Sequence, residues 1–417
     1  MRILLPVLAG LLVCAPASAD DQLVIGGEVE APLRYIPALG GFVQGYVNGH
    51  GPFWFGIDLG GPTRLTPVVV KAAALALKPD VVVLNGSTGS IEQEPKTDDA
   101  DIRVGEAVFR VTPNAIPDRD LGAYAPIDDY GGAIGAEILR NGVLTLDFAH
   151  GRLSLSPHGQ DYASAGEVSV PVAMVADRGT ILAPMIALTV GSQTSNVFLS
   201  SRAGGISFLQ FSMAGDAVFA RAPHRYRRLN WSPDSSAEGE LAPAAEVSAG
   251  EIPLGAHGVY RDAAPPPHSP EPGLSKRNLL NLRKIGVPRR LPVNDGIAGF
   301  ESLASSVVRV DAAAQRIWLQ PRRGDASPAA ASRPYATIGF MPWPYRDRVV
   351  VRSLVLGSPA DRAGLRPGDE VLALNGGGVN AYYSRLTVDR GEQPTTVTFR
   401  NLSGAHTVTL TPAAPRD

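Results

Sequence analysis

The chain has 417 residues, more than one domain usually holds, so two or three packed units are expected. Its 44% hydrophobic and 19% charged residues are typical of globular proteins, and a formal net charge of -2 excludes the basic surface field on which nucleic-acid binding depends. The single cysteine, Cys14, excludes an internal disulfide and a metal site built from several thiolates.

The N-terminus predicts a secretory signal peptide over residues 1–19. Arg2 precedes an apolar run from Ile3 to Val13, and Ala17-Ser18-Ala19 supplies the small residues of a cleavage site. The run is well short of the roughly 20 residues that span a bilayer, which favours cleavage after Ala19 over a membrane anchor. Val13 before Cys14 disfavours a lipid anchor. We therefore expect a periplasmic or secreted protein without stable membrane insertion.

Glycine and proline recur along the whole chain and separate short apolar runs. There are 45 glycines and 36 prolines, and such frequent turn signals favour many short strands over long helices. We therefore expect a mainly β fold. The 7 histidines lack the paired spacing of a metal-binding helix or finger, and no dinucleotide or phosphate loop is recognisable. No cofactor is predicted.

Asp58 lies in a distinctive setting near the start of the expected β body. The stretches Phe42–Gly49 and Phe53–Ile57 predict two strands joined by a turn, and the second strand runs into Asp58-Leu59-Gly60-Gly61. Farther along the chain, Ala133-Ile134-Gly135 forms an apolar pair followed by glycine. The pattern predicts a carboxylate on a glycine-rich loop at a strand end.

Residues 132–157 and 296–321 repeat one another without gaps at an offset of 164 (299 minus 135). Gly135-Ala136-Glu137 matches Gly299-Phe300-Glu301, and Asp147 matches Asp311. Each copy predicts a turn, a short helix, a strand that ends at the aspartate, and a strand of alternating apolar residues. Two homologous lobes are therefore expected. Asp147 and Asp311 are expected to cap turns.

The Asp58 loop and the later apolar-Gly element together resemble the aspartic peptidase family, in particular its retropepsin-like bacterial members. The resemblance covers about Leu23 to Pro157 and, through the repeat, about Val168 to Pro321. It implies two retropepsin-like β lobes, over residues 23–158 and 168–321, in a pepsin-like bilobal arrangement around a cleft. It also implies that Asp58 is the general base toward a water molecule.

Peptide cleavage in this family needs two aspartates that share one proton. In the second lobe, the strand from Val197 runs into Ser200, which occupies the position of the second aspartate. A serine hydroxyl cannot share that proton. Leu59 also departs from the family, which usually has threonine or serine there.

Three interpretations of the lobes remain open. In the first, the protein binds polypeptides in the cleft with lost or weakened proteolysis. In the second, it is an active aspartic endopeptidase, and two chains pair Asp58 with Asp58 in a homodimer. In the third, Asp58 is a turn residue of an unrelated β domain.

Two stretches of the sequence predict connectors. Residues 221–291 show little periodicity, include Pro265-Pro266-Pro267, and are interpreted as an insertion loop over the second lobe. Residues 322–334 are rich in alanine, arginine and proline and are interpreted as a domain linker.

The stretch Gly357–Gly376 is similar to the central part of bacterial PDZ domains, and we expect a PDZ domain over residues 335–413. Ser358 should cap a short helix with Pro359 in its first turn. Gly364 should take the left-handed position that ends the helix, and Pro367-Gly368 should turn the chain into the next strand.

Upstream, Ile338-Gly339-Phe340-Met341 resembles the PDZ loop whose backbone N–H groups receive a peptide carboxylate. Phe340 and the backbone near Gly339 would bind the terminus, with Ile338 and Met341 lining the site. Val349–Val351 is expected to be the edge strand that a peptide extends. Pro342 and Pro344 remove two nearby N–H donors. A polypeptide or peptide C-terminus is the implied ligand, and a PDZ fold used only for intramolecular packing is the alternative.

Overall fold

The computed structural model describes residues 23–24, 28–36, 40–59, 61–84, 91–116, 129–140, 142–159, 167–177, 180–200, 206–208, 224–229, 236–262, 296–303, 306–321, 338–345, 348–379 and 393–412. The predicted signal peptide and the predicted linker 322–334 lie outside these residues. The fold is mainly β, as expected.

The first copy of the repeat and the residues before it form strands β1 to β13, helix α1 and the 3-10 helix η1. Their bounds are β1 (Leu23–Val24), β2 (Val29–Ile36), β3 (Gly40–Val47), β4 (His50–Ile57), β5 (Arg64–Leu65), α1 (Pro67–Ala72), β6 (Leu77–Leu84), β7 (Ile91–Thr97), β8 (Ala100–Val104), β9 (Ala107–Val111), β10 (Asn114–Ala115), β11 (Tyr130–Ile134), η1 (Ala136–Leu139), β12 (Val143–Asp147) and β13 (Arg152–Ser156).

The second copy and the C-terminal unit follow. The second copy has β14 (Val168–Pro171), β15 (Ala173–Asp177), β16 (Thr180–Val190), β17 (Gln193–Ser200), β18 (Ile206–Phe208), β19 (His224–Leu229), β20 (Ser236–Ala249), β21 (Ile252–Asp262), β22 (Gly296–Gly299), η2 (Phe300–Leu303), β23 (Ser306–Asp311) and β24 (Arg316–Pro321). The C-terminal unit has β25 (Phe340–Tyr345), β26 (Arg348–Val355), α2 (Pro359–Arg362), β27 (Glu370–Leu374), β28 (Gly377–Gly378), β29 (Thr395–Asn401) and β30 (Gly404–Leu410).

Strands β3 and β4 form a hairpin whose two-residue turn is Asn48-Gly49. Both residues have positive φ, 48° and 81°, which is the backbone that asparagine and glycine tolerate best. Along β3, Phe42, Val43 and Val47 are buried, while Gln44 is exposed. The hairpin therefore brings β4 into the core and directs its end toward Asp58.

Strand β11 lies between β4 and β5 and is parallel to β4. The second copy repeats this order, with β22 parallel to β17 and antiparallel to β18. Because β11 and β22 carry the matched glycines Gly132 and Gly296, the predicted repeat is confirmed at the level of strand topology.

The two copies join in one six-stranded run, in the order β2-β13-β12-β23-β24-β14. At its centre, β12 pairs with β23 so that Thr145 faces Arg309, and 309 minus 145 is the repeat offset of 164. Equivalent positions therefore face each other, and a pseudo-twofold axis passes between Thr145 and Arg309. Valine and leucine side chains on both central strands are buried in one core that spans the two copies.

The interpretation of residues 221–291 as an irregular insertion loop does not hold for its described part. Strands β19, β20 and β21 form an antiparallel sheet there, and β18 extends it. The signal was weak because the buried positions of β20 include the small residues Ala242, Ala245 and Ala249, which give little apolar contrast. Residues 263–291 lie outside the described part.

The C-terminal unit contacts both copies. Its core, which includes Ile338, Phe340, Val351 and Leu365, continues into Phe42 and Tyr130 of the first copy. Strand β26 also pairs with β19 of the second copy, with Tyr226 opposite Val355 and Arg228 opposite Ser353. The C-terminal unit is therefore packed against a sheet face of one copy and hydrogen-bonded to a strand edge of the other.

Candidate functional sites

Asp58 follows β4 directly, and its side chain is buried, with 7% of the residue exposed. Its backbone N–H donates to the carbonyl oxygen of Ile134 in β11 at 2.8 Å. The parallel pairing of β4 with β11 therefore fixes the residue where the chain leaves the sheet, as the sequence pattern indicates.

The loop that follows Asp58 is held by the segment after β11. The backbone N–H of Ala136 donates to the carbonyl oxygen of Gly61 at 2.9 Å, and the N–H of Gly135 donates to Thr63 Oγ1 at 3.0 Å. A Cβ on Gly135 would lie 2.3 Å from the carbonyl carbon of Pro62 and 2.3 Å from the nitrogen of Thr63. Only glycine permits this approach of the two backbones.

Glu137 in the first turn of η1 holds the same loop through its carboxylate. Thr63 donates its backbone N–H to both carboxylate oxygens, at 3.1 and 3.0 Å, and its hydroxyl to Oε2 at 3.0 Å. Burial raises the pKa of Glu137 above its usual value, and the hydrogen bonds from its own backbone and from Thr63 and the charge of Arg64 oppose this shift. The identity of Glu137 and Glu301 in the repeat was the only sequence signal for this role.

A buried ion pair supports the loop from its other side. Arg64 Nε lies 2.8 Å from Glu94 Oε1, and Asn114 Nδ2 donates to Glu94 Oε2 at 2.9 Å. A Cβ on Gly61 would lie 3.3 Å from Arg64 Nη1, so the guanidinium group lies directly beneath the loop. Pairing and hydrogen bonding compensate the desolvation of both charges. Sequence reasoning missed these residues because nothing in their spacing links them.

Ser200 occupies the position in the second copy that Asp58 occupies in the first. Ile57 pairs with Ile134, and Leu199 pairs with Ala298, which is Ile134 shifted by the repeat offset of 164 (298 minus 134). The next residues are therefore Asp58 in one copy and Ser200 in the other. Residues 201–205 and the side chain of Ser200 lie outside the described part, so the structure describes only the loop of the first copy, apart from Gly60.

Asp147 and Asp311 cap turns, as predicted. Asp147 Oδ1 accepts the backbone N–H of His150 at 3.1 Å, and Asp311 Oδ1 accepts that of Ala314 at 3.0 Å. Both bonds reach three residues ahead, which is the geometry of a carboxylate that closes a turn. Histidine side chains also contact both carboxylates, His150 at 2.8 Å and His158 at 3.1 Å.

The local features predicted for the C-terminal unit are present. Ser358 Oγ accepts the backbone N–H of Asp361 at 3.2 Å, and Pro359 opens helix α2. Gly364 and Gly368 have positive φ values of 90° and 97°. These residues turn the chain from β26 through α2 into β27, as the sequence indicates.

The predicted loop 338–341 is packed tightly, and its residues Phe340 and Met341 already form the start of β25. Ile338 and Phe340 are buried in the core of the C-terminal unit, and Met341 is half-buried. Gly339 has a φ of 88°, and a Cβ there would lie 2.0 Å from Ser358 Cβ. The carbonyl oxygen of Gly339 accepts the N–H of Val355 at 2.7 Å. The loop therefore rests against the start of α2.

The prediction that Val349–Val351 forms an open edge is wrong. Strand β26 has β25 on one side, while β27 and β19 lie on the other. The outer strand is β25, for which the described part of the chain provides β26 as the only pairing partner. The error arose because Pro342 and Pro344 made the sequence of β25 look like a loop. Prolines are tolerated on an edge strand, so the two residues are compatible with β25.

Within the described ranges, no group of three or more His, Cys, Asp or Glu side chains could hold a metal ion. No described helix is long and apolar enough to cross a membrane.

Comparison with known proteins identifies a family at the C-terminus and solved structures of similar fold. No curated protein matches the sequence. The solved structure of basic 7S globulin from soybean is similar, with a TM-score of 0.42 and 10% identity, over 70% of this chain and 94% of that one. The PDZ domain family matches residues 350–377, from β26 to β28. The C-terminal unit of the chain therefore contains a PDZ domain.

Proposed function

We propose that this protein is exported, binds polypeptide chains through its PDZ domain and through the cleft of its two retropepsin-like lobes, and has lost or weakened peptide cleavage. Peptide binding is supported by the PDZ domain. Export to the periplasm or beyond is supported by the signal-peptide pattern over residues 1–19.

The position of Ser200 is the observation that favours peptide binding over peptide cleavage. An aspartic peptidase needs two carboxylates close enough to share a proton, one to activate water and one to protonate the scissile carbonyl oxygen. Asp58 is the residue that would act as the base. With Ser200 in the equivalent position of the second copy, one chain supplies a single carboxylate to this pair.

The alternative function is an active aspartic endopeptidase that works as a homodimer through Asp58. The rigid support of the Asp58 loop by Glu137 and Gly135 favours it, because a catalytic carboxylate needs such positioning. The pairing of β12 with β23 opposes it. A second chain would meet an edge that the same chain already occupies, and it would have to displace the pseudo-twofold contact.

The test compares the purified mature chain with Asp58→Asn and Ser200→Ala. Cleavage of a denatured protein and of a mixed peptide library is measured from acidic to neutral pH. Binding is measured by fluorescence anisotropy with a labelled peptide, once with a free C-terminal carboxylate and once amidated.

We expect no cleavage by any of the three proteins and equal peptide binding by all of them. Amidation should weaken binding about tenfold, because it removes charge-assisted hydrogen bonds to the terminus. Cleavage that disappears in Asp58→Asn would establish the peptidase instead, and sedimentation of that active form would then reveal whether it is a dimer.

A further inference from the structure

The outer edge of the PDZ sheet is strand β25, and it carries two prolines at alternate positions. Pro342 pairs with Val351 and Pro344 pairs with Val349 across the β25–β26 ladder. Successive residues of a strand point their backbone groups to opposite sides, so two residues that are two apart point to the same side. Pro342 and Pro344 therefore share one edge of β25.

The hydrogen bonds of Val351 identify that edge. Its N–H donates to the carbonyl oxygen of Asp369 at 2.8 Å, and its own carbonyl oxygen accepts the N–H of Gly368 at 2.9 Å. Both groups of Val351 therefore point away from β25. In an antiparallel pair, a residue opposite such a partner also points its backbone groups away from the ladder. The backbones of Pro342 and Pro344 thus face outward, along the edge that a bound peptide would extend.

A proline nitrogen carries no hydrogen, so the outer edge offers carbonyl oxygens but no N–H donors at these two positions. An extended peptide beside β25 would leave the two carbonyl groups opposite Pro342 and Pro344 without donors from the strand. Each missing bond removes about a fivefold gain in affinity, so the two together remove about thirtyfold. The prolines close the edge to a strand, as native sheets commonly do at exposed edges.

The other side of β26 is also closed. Val349 and Val350 pair with β27, and farther along Leu354 pairs with Arg227 of β19. Leu356 donates its N–H to the carbonyl oxygen of Arg225 at 2.8 Å. The chain itself therefore occupies the part of β26 that faces away from β25.

We propose that this PDZ domain binds only the end of a polypeptide chain, at the loop 338–341, and rejects an extended strand along β25. This inference rests on the proposed peptide-binding function and narrows its ligand to a short free C-terminus. Residues upstream of the last one or two contribute little to binding at this domain, and the domain does not bind internal segments of a chain.

The test uses nested peptides that share one C-terminal residue: a dipeptide, a tetrapeptide and an octapeptide. Each is titrated against the full chain, the double variant Pro342→Ala/Pro344→Ala, and the control Pro394→Ala, an exposed proline before β29. Circular dichroism and thermal unfolding verify that each variant is folded.

For the natural chain and the control, we expect affinities that agree within about threefold across the three peptides. In the double variant, the octapeptide should bind about thirtyfold more tightly, while the dipeptide should be unchanged. An affinity of the natural chain that is lost on amidation of the peptide and rises steeply with peptide length would overturn the inference without any variant. A folded double variant that gains nothing would overturn it as well.

The two proposals fail in different ways. If the natural chain binds none of the peptides but the double variant binds the octapeptide, terminal recognition is wrong and the closed edge is upheld. If neither protein binds any peptide, both proposals fall.

Discussion

The two copies of the repeat share the backbone devices that build the fold and differ in the groups that could perform chemistry. Both place an apolar-Gly strand between two others, and both end a strand at an aspartate that caps a turn. In the first copy, the residue that follows β4 is the carboxylate Asp58. In the second copy, the equivalent residue at the end of β17 is Ser200. The difference teaches that two copies can keep the same strand order although only one of them carries a carboxylate at this position.

The copies also hold the PDZ domain in different ways. The first copy offers a sheet face, from which Phe42 and Tyr130 enter the PDZ core with their rings 6.3 Å apart in an edge-to-face arrangement. The second copy offers the strand β19, and Tyr226 packs there with Leu241 and Val355. A symmetric pair of lobes therefore holds its third unit asymmetrically.

The largest expected effect tests whether both copies share the close contact between the loop and the glycine before the 3-10 helix. Gly135→Ala should reduce the free energy of unfolding by roughly 4 kcal/mol, because the new Cβ meets the backbone of Pro62 and Thr63. The measurement is chemical denaturation of the full chain. The control Gly378→Ala should change it by less than about 0.5 kcal/mol, since a Cβ there meets nothing within 4 Å.

The matched variant Gly299→Ala sharpens this test. If it is as destabilising as Gly135→Ala, the loop after Ser200 approaches η2 as closely as the Asp58 loop approaches η1. A neutral result for Gly135→Ala itself would contradict the packing described for the first copy.

The next effect compares the two ways of holding the PDZ domain. Phe42→Ala should destabilise the chain by about 3 kcal/mol, because it removes a ring that is 2% exposed from the PDZ core. Phe42→Leu should recover most of this loss. If Tyr226→Ala has an effect of similar size, face packing and edge pairing hold the domain equally; a much smaller effect would mean that the strand hydrogen bonds dominate on that side.

The ion pair of the second copy that adjoins the contact between the copies comes third. Arg309→Ala should lower the free energy of unfolding by about 2 kcal/mol, because it removes the guanidinium group whose Nε lies 3.0 Å from the buried carboxylate of Glu167. We expect less than for a fully buried pair because Arg309 is partly exposed. The double variant Arg309→Ala/Glu167→Gln should recover part of the stability, and its failure to do so would contradict an electrostatic origin of the loss.

The smallest effect concerns the hydrogen bonds between Glu137 and Thr63, which are described in the first copy. The folded-state pKa of Glu137 is raised above the usual value of 4.5. Its contribution to the free energy of unfolding is therefore fully present below pH 4.5 and is lost as the pH rises through the folded-state pKa. Glu137→Gln should therefore gain stability relative to the natural chain as pH rises above 4.5. Thermal unfolding of both proteins over this range measures it, and parallel pH profiles would contradict the assignment.

Sequence reasoning found what depends on local pattern. The offset of the repeat, the capping role of Asp147 and the turn glycines of the PDZ domain follow from short-range chemistry that each segment carries alone. The sequence also located Asp58, because a strand followed by an acidic residue and glycines is a local signal.

What depends on long-range pairing could not be predicted. Glu94 reaches Arg64 and Asn114 only because β5, β7 and β10 are brought together, and no spacing in the chain records this. The same limit contributes to the wrong edge prediction, since one side of β26 is partly covered by β19, more than a hundred residues upstream. Strand β20 was not predicted because its buried residues are small, and only its pairing with β19 and β21 reveals it as a strand.

The pair Thr145 and Arg309 has a consequence for how the two halves recognise each other. On the axis of a homodimer, every residue must face its own copy. Here Arg309 Nη1 donates to Thr145 Oγ1 at 3.1 Å, a complementarity that identical halves cannot have. Two second halves would bring two guanidinium groups together, and two first halves would bring two Thr145 side chains together without a cation. Separately produced halves should therefore sort into mixed pairs and leave like pairs unformed.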